Sequence, residues 1–216
     1  MRAAVLLVPS LLTTFAACGS DDGKTTPDAR LLQDAAPDAR PCGALPNYGT
    51  PTPMNEYAVR DADTMPESIY YESALNADPQ YDAITIQLFK GYGAFETGEI
   101  EAKIIPLTGV EAQFETCGAC VILYGDYDDG TQETLGGTYL ATGGSLNLQG
   151  VSPNIRGLLL NTRLVEVTID DGTGVSTPVG NCATEIASFA FDFPVTTEAS
   201  DAFVSGGKPR PRKLRR

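Results

Sequence analysis

Beyond Ala83 the chain alternates apolar and polar residues with a period of two. Ile84, Ile86 and Leu88 alternate with Thr85 and Gln87, and Ile100, Ala102 and Ile104 alternate with Glu101 and Lys103. Successive side chains of a strand point to opposite faces, so each run predicts a strand with one buried face. Gly91, Gly93 and Gly98 break the chain between these two runs. Val121 to Tyr127 is a third run, and it ends in Asp128-Asp129-Gly130, a hairpin signal. Thr138 to Ala141 and Ser145 to Val151 flank Gly143-Gly144, which predicts two strands joined by a tight turn. From Leu158 to Ile169 the apolar set is even-numbered at Leu158, Leu160 and Leu164, then odd-numbered at Val165, Val167 and Ile169. That change of phase predicts a bulge near Leu164. Asp171-Gly172 marks a turn, and Phe189, Phe191 and Phe193 give the last strand an aromatic face. Residues 42–82 are less regular, and Glu67 to Leu75 reads as a short helix or an edge strand.

About eight strands at this spacing predict an all-β domain over residues 42–204. The expected form is an antiparallel, jelly-roll-like β-sandwich, with a closed β-barrel as the alternative.

The N-terminus carries an address. Met1-Arg2 is a short positive segment, and Ala3 to Leu12 is an apolar stretch of ten residues. Ten is too few to span a bilayer as a helix. Phe15-Ala16-Ala17-Cys18 follows and resembles a bacterial lipobox, with Phe15 standing where that family usually has Leu. The resemblance implies a signal peptide over residues 1–17 and cleavage before Cys18, whose thiol then carries diacylglycerol and whose amine is acylated. Gly19 rather than Asp after the cysteine implies, by the same resemblance, export to the outer membrane or cell surface. Residues 18–41 repeat Pro-Asp-Ala-Arg at Pro27 and Pro37, contain no aromatic residue and predict a lipidated, disordered tether. A flexible chain of that length spans roughly 25–29 Å.

Lipidation uses one of five cysteines, leaving Cys42, Cys117, Cys120 and Cys182. An even set in an oxidising compartment predicts two disulfides, and four cysteines allow three connectivities. The favoured pairing is Cys117–Cys120 with Cys42–Cys182, which requires Gly118-Ala119 to turn. A Cys-x-x-Cys pair also admits a redox or a metal reading. The apolar, β-branched run after Cys120 is unlike the helix start that activates a redox cysteine, and a zinc site would need further ligands.

Charge narrows the partners. The chain carries −13 overall, with six of its 15 basic residues in the last nine positions. Between Cys42 and Val204 there are five basic and 23 acidic residues, a surplus of −18 that repels phosphate backbones and argues against nucleic acid as a partner. Residues 205–216 predict a basic, disordered tail, to be expected mobile or touching an anionic envelope polymer. Histidine is absent, which excludes Ser-His-Asp and Cys-His nucleophilic catalysis. Trp is absent too, which weakens stacking against sugars.

Asp126, Asp128, Asp129 and Glu133 crowd one turn, and hard oxygen ligands of this kind suit calcium. The spacing fails the EF-hand pattern, so calcium rests there on charge density alone, and no other cofactor is expected. Tyr70, Tyr71, Tyr81, Tyr92, Tyr124 and Tyr127 could line a binding face or pack within the sheet.

Tyr92-Gly93-Ala94-Phe95, Phe114 to Val121 and Tyr139 to Gly144 together look like a group of bacterial surface lipoproteins with Asp/Pro/Ala-rich tethers. The resemblance covers most of residues 83–193 and implies no catalytic residue. The expected function is therefore that of a membrane-anchored lipoprotein whose acidic β domain binds a ligand or partner at the envelope without catalysis. The alternatives are a structural or assembly subunit of the envelope and a secreted hydrolase using carboxylates.

Overall fold

The computed structural model describes residues 42–62, 66–77, 80–128 and 133–198. The segments expected as a signal peptide (residues 1–17), a tether beginning at Cys18 (residues 18–41) and a basic tail (residues 205–216) lie outside the described residues. Ten strands run in chain order. They are β1 (Met54–Asp61), β2 (Ser68–Ala74), β3 (Tyr81–Phe89), β4 (Lys103–Pro106), β5 (Ala119–Asp128), β6 (Glu133–Thr134), β7 (Thr138–Val151), β8 (Asn154–Ile169), β9 (Ser176–Pro194) and β10 (Thr196–Glu198). Among the described residues the only helical elements are short 3-10 turns at Gly93–Phe95 and Gly109–Ala112.

The fold is all-β. All ten strands belong to one sheet, ordered β10-β1-β2-β3-β5-β7-β8-β9, with β4 on β7 and β6 on β5. Every pair is antiparallel except β1–β10, which is parallel. The two packed layers expected of a sandwich arise here because one sheet folds over on itself. Four strands separate β2, with Tyr71, from β9, with Phe191, in that order, yet their ring centroids are 4.8 Å apart. β10 continues from β9 across the single residue Val195 and pairs with β1 at the opposite edge. The last stretch of chain thus serves both edges, while no ladder among the described residues joins β1 to β9 itself.

The inward face of this curled sheet makes one core. It takes the odd-numbered Ile69 and Tyr71 of β2, the even-numbered Ile84, Ile86 and Leu88 of β3, and the odd-numbered Ala119, Val121 and Leu123 of β5. Phe189 and Phe191 of β9 close it, as their alternation predicts. A second cluster on the other face joins Ala83 and Phe89 to Ile122, Tyr124 and Leu140, with Phe114 and Cys117 packed on them. Strands buried on both faces lose their alternation. That is why β2, expected as a helix or an edge strand, is a strand enclosed between β1 and β3.

Three local expectations change. Ile100, Ala102 and Ile104 do not share the buried face of one strand, because β4 begins at Lys103 with Ile104 exposed and Ile105 buried. Gly143-Gly144 does not turn the chain, because β7 runs unbroken from Thr138 to Val151 and the pairing register with β8 shifts on either side of Gly143. Gly144 has φ 91° and its Cα faces backbone, so a Cβ there would stand 2.5 Å from the Asn161 carbonyl oxygen. A glycine inside a strand commonly marks such a close approach. β8 carries two irregularities: its register with β9 shifts between Val165 and Val167, next to the expected place at Leu164, and an earlier one, which the sequence pattern does not predict, falls at Asn161 with φ 47°. Ile155 and Leu159 point inward before it and Thr162 and Leu164 after it, so the phase does change, but with the opposite assignment at Leu158 and Leu160.

Candidate functional site

Of the three connectivities open to four cysteines, the favoured one is formed. Cys42 and Cys182 form one disulfide, with Cα atoms 5.5 Å apart, and Cys117 and Cys120 form the other, at 5.3 Å. Cys117 and Cys120 are fully buried. Of the four acids proposed for calcium, Asp126 and Asp128 lie in β5. Glu133 is placed opposite Asp128 in the β5–β6 pair, and Asp129 lies outside the described residues. Among the described residues no three acidic or cysteine side chains converge as a metal would require.

The tyrosines do not form an open binding face. Tyr70, Tyr71, Tyr81, Tyr124 and Tyr127 are buried, and only Tyr92 of the six is partly exposed. Burial raises the phenol pKa of Tyr70, Tyr71 and Tyr124 above the usual value of 10.0, and Glu72 or Glu56 nearby pushes in the same direction.

Part of the acidic surplus is internal. Asp82, buried, accepts from Tyr48 Oη at 2.6 Å, from Asn76 Nδ2 at 2.9 Å and from the Asp126 N–H at 2.9 Å. Glu111, also buried, accepts from the N–H groups of Ala94 and Ala119, each at 2.6 Å. Each is the acceptor for backbone N–H groups, of β5 (Asp126, Ala119) and of the 3-10 turn (Ala94), that would otherwise lack this partner.

Residues 42–49 are bound into the body at every step. Cys42 is bonded to β9, and a Cβ on Gly43 would overlap the backbone of Gly136. Ala44 is buried in the core, and the Leu45 carbonyl accepts from Thr184 Oγ1 at 2.5 Å. Asn47 bridges to Glu185, the Tyr48 N–H donates to the Glu185 carbonyl at 2.9 Å, and the Tyr48 hydroxyl reaches Asp82.

The seam between β1 and β9 opens into a groove of about 530 Å³. Thr52, Pro53 and Glu56 form one wall, and Gln149, Arg156, Leu158, Ala190 and Asp192 form the rest, with Phe191 at the base. Phe191 fits because its strand partner is Gly157, at which a Cβ would stand 2.8 Å from the ring. Three charged groups are held in place. Tyr71 Oη donates to Glu56 Oε1 at 2.8 Å, Asn154 Nδ2 donates to Asp192 Oδ1 at 2.6 Å, and the Arg156 side chain lies over Gly150. Sequence reasoning singled out none of Glu56, Gln149, Arg156 and Asp192. They come from four separate strands or their flanks, and no local pattern joins them.

No protein-family model, curated protein or solved structure matches the chain. Among the described residues no helix is long and apolar enough to cross a membrane.

Proposed function

We propose that this protein is an exported, lipid-anchored surface lipoprotein whose acidic β domain binds a ligand or partner at the envelope and does no chemistry of its own. The observation that carries the reading is the way residues 42–49 join the body. A domain hung from a flexible leader needs a defined point where slack chain becomes fixed structure. Here that point is covalent, through Cys42–Cys182, and is backed by backbone pairing at Asn47 and Tyr48. The lipobox-like Phe15-Ala16-Ala17-Cys18 and the repeat-bearing segment that follows it supply the anchor and the leader. Two or three acyl chains hold a protein on a membrane where one does not. The outer membrane or cell surface is the expected destination, and the acidic body disfavours nucleic acid as a partner.

Growth with a radiolabelled fatty acid tests the anchor. The wild type should take up label and fractionate with membranes. Cys18→Ser should remain an unlabelled, larger precursor. Equal labelling of the two proteins would overturn the reading.

A further inference from the structure

We infer that the groove between β1 and β9 is a binding site for a neutral, hydroxyl-rich oligosaccharide. The inference deepens the binding reading above and rests on it.

Charge comes first. Glu56 and Asp192 place two carboxylates in the groove against the single guanidinium of Arg156. With a body at −18, an anionic ligand is repelled. A metal ion meets no group of three ligands among the described residues. An organic cation would satisfy the carboxylates but leave the Arg156 guanidinium without an acceptor, whereas a neutral molecule able both to give and to accept hydrogen bonds matches every group of the lining. The lining has that dual character. Glu56 and Asp192 accept, Arg156 donates, and the Gln149 amide and Thr52 hydroxyl do both. A sugar hydroxyl is donor and acceptor at once, so adjacent hydroxyls can pair with an acid and a guanidinium side by side.

Shape and stiffness agree. The volume lies within the range of small-molecule sites. Leu158, Ala190 and Pro53 offer an apolar strip for the C–H face of a ring. Glu56, Gln149, Arg156 and Asp192 sit on strands, and Glu56 and Asp192 are already aimed by Tyr71 and Asn154, so little freedom is lost on binding. The groove has no broad aromatic platform, and recognition falls to the hydrogen bonds. Loss of one charged partner should therefore be felt strongly.

The test uses purified mature protein and amide NMR titration with maltotriose, cellotriose, chitotriose and hexalysine. At least one neutral trisaccharide should shift the signals of Gly157, Ala190 and Asp192. Glu56→Gln keeps an acceptor for Tyr71 but removes the charge, and it should weaken binding at least tenfold. Asp192→Asn should do the same, and because Asp192 is exposed its spectrum elsewhere should remain that of the wild type. The inference is overturned if no neutral trisaccharide binds. It is equally overturned if binding occurs with both variants unaffected, or if hexalysine is the probe that occupies the groove. Fatty-acid labelling reads a different part of the chain, so failure of either reading is distinguishable from failure of the other.

Discussion

The hydroxyl of Tyr48 donates a 2.6 Å hydrogen bond to the carboxylate of Asp82, fastening the first described segment of the chain to β3. Tyr48 is half-buried and Asp82 is buried, and the same carboxylate holds the Asn76 amide and the Asp126 N–H. A hydrogen bond to a charged group contributes about 1.5–3 kcal/mol. Tyr48→Phe should cost that much in urea unfolding. Asp82→Ala should cost more, because it leaves three donors without their acceptor.

Alkali should unfold this protein steeply. Burial, followed in effect by neighbouring Asp82, Glu72 or Glu56, raises the phenol pKa of Tyr48, Tyr70, Tyr71 and Tyr124. In the unfolded chain each phenol releases its proton near 10.0, whereas the folded chain still holds it. Above that pH the unfolded state binds fewer protons, so stability is full below it and falls as pH rises. The limiting loss is about 1.4 kcal/mol per pH unit for each such tyrosine. Ultraviolet absorbance of tyrosinate should appear together with loss of the far-ultraviolet β signal. Free titration of all nine tyrosines in a still-folded protein would contradict this.

The two disulfides should differ in their contribution. Cys42–Cys182 closes a loop with a sequence separation of 140, and Cys117–Cys120 one of 3. Chain entropy gives about 5 kcal/mol for the first and roughly 2 kcal/mol for the second. Paired serine or alanine substitutions, compared by denaturant unfolding, should preserve that order. Alkylation without reductant should find all four thiols blocked.

Asn161 and Gly144 form a matched pair of backbone exceptions facing each other across β7 and β8. Asn tolerates the left-handed region and a β-branched residue does not. Asn161→Gly should be nearly neutral, and Asn161→Val destabilising by about 1–3 kcal/mol. Gly144→Ala combines strain with overlap against the Asn161 backbone and should cost roughly 2–4 kcal/mol in thermal or urea unfolding.

What could be read from the sequence followed locality. β3 and the aromatic face of β9 announce themselves by alternation, and β5 by a continuous apolar run, since it is buried on both faces. Cysteine count predicted two disulfides and left three connectivities open, of which the favoured one is the one formed. Gly143-Gly144 misled because a glycine pair between two short runs has the local look of a hairpin. What keeps β7 straight is distant, since β5 and β4 pair with successive halves of its length. Asp82 and Glu111 were unreadable as internal acceptors, because the N–H groups they satisfy lie elsewhere in the sequence, in β5 and the 3-10 turn at Gly93–Phe95. The groove was hidden for the same reason. Glu56 and Asp192 meet only because the sheet folds over, and that curl is written in no single segment.

The bond between Cys42 and Cys182 also decides where mechanical load would travel. Tension entering at residue 42 from a tether passes straight into β9, so the chain between the two cysteines cannot be drawn out while the bond holds. A ligand gripped at Ala190 and Asp192 lies on that same strand. If the proposed anchor and ligand are both engaged, the line of force between them would run along part of β9, and the ladders of β2, β3 and β5 would stay slack under a pull that would otherwise peel them apart one by one.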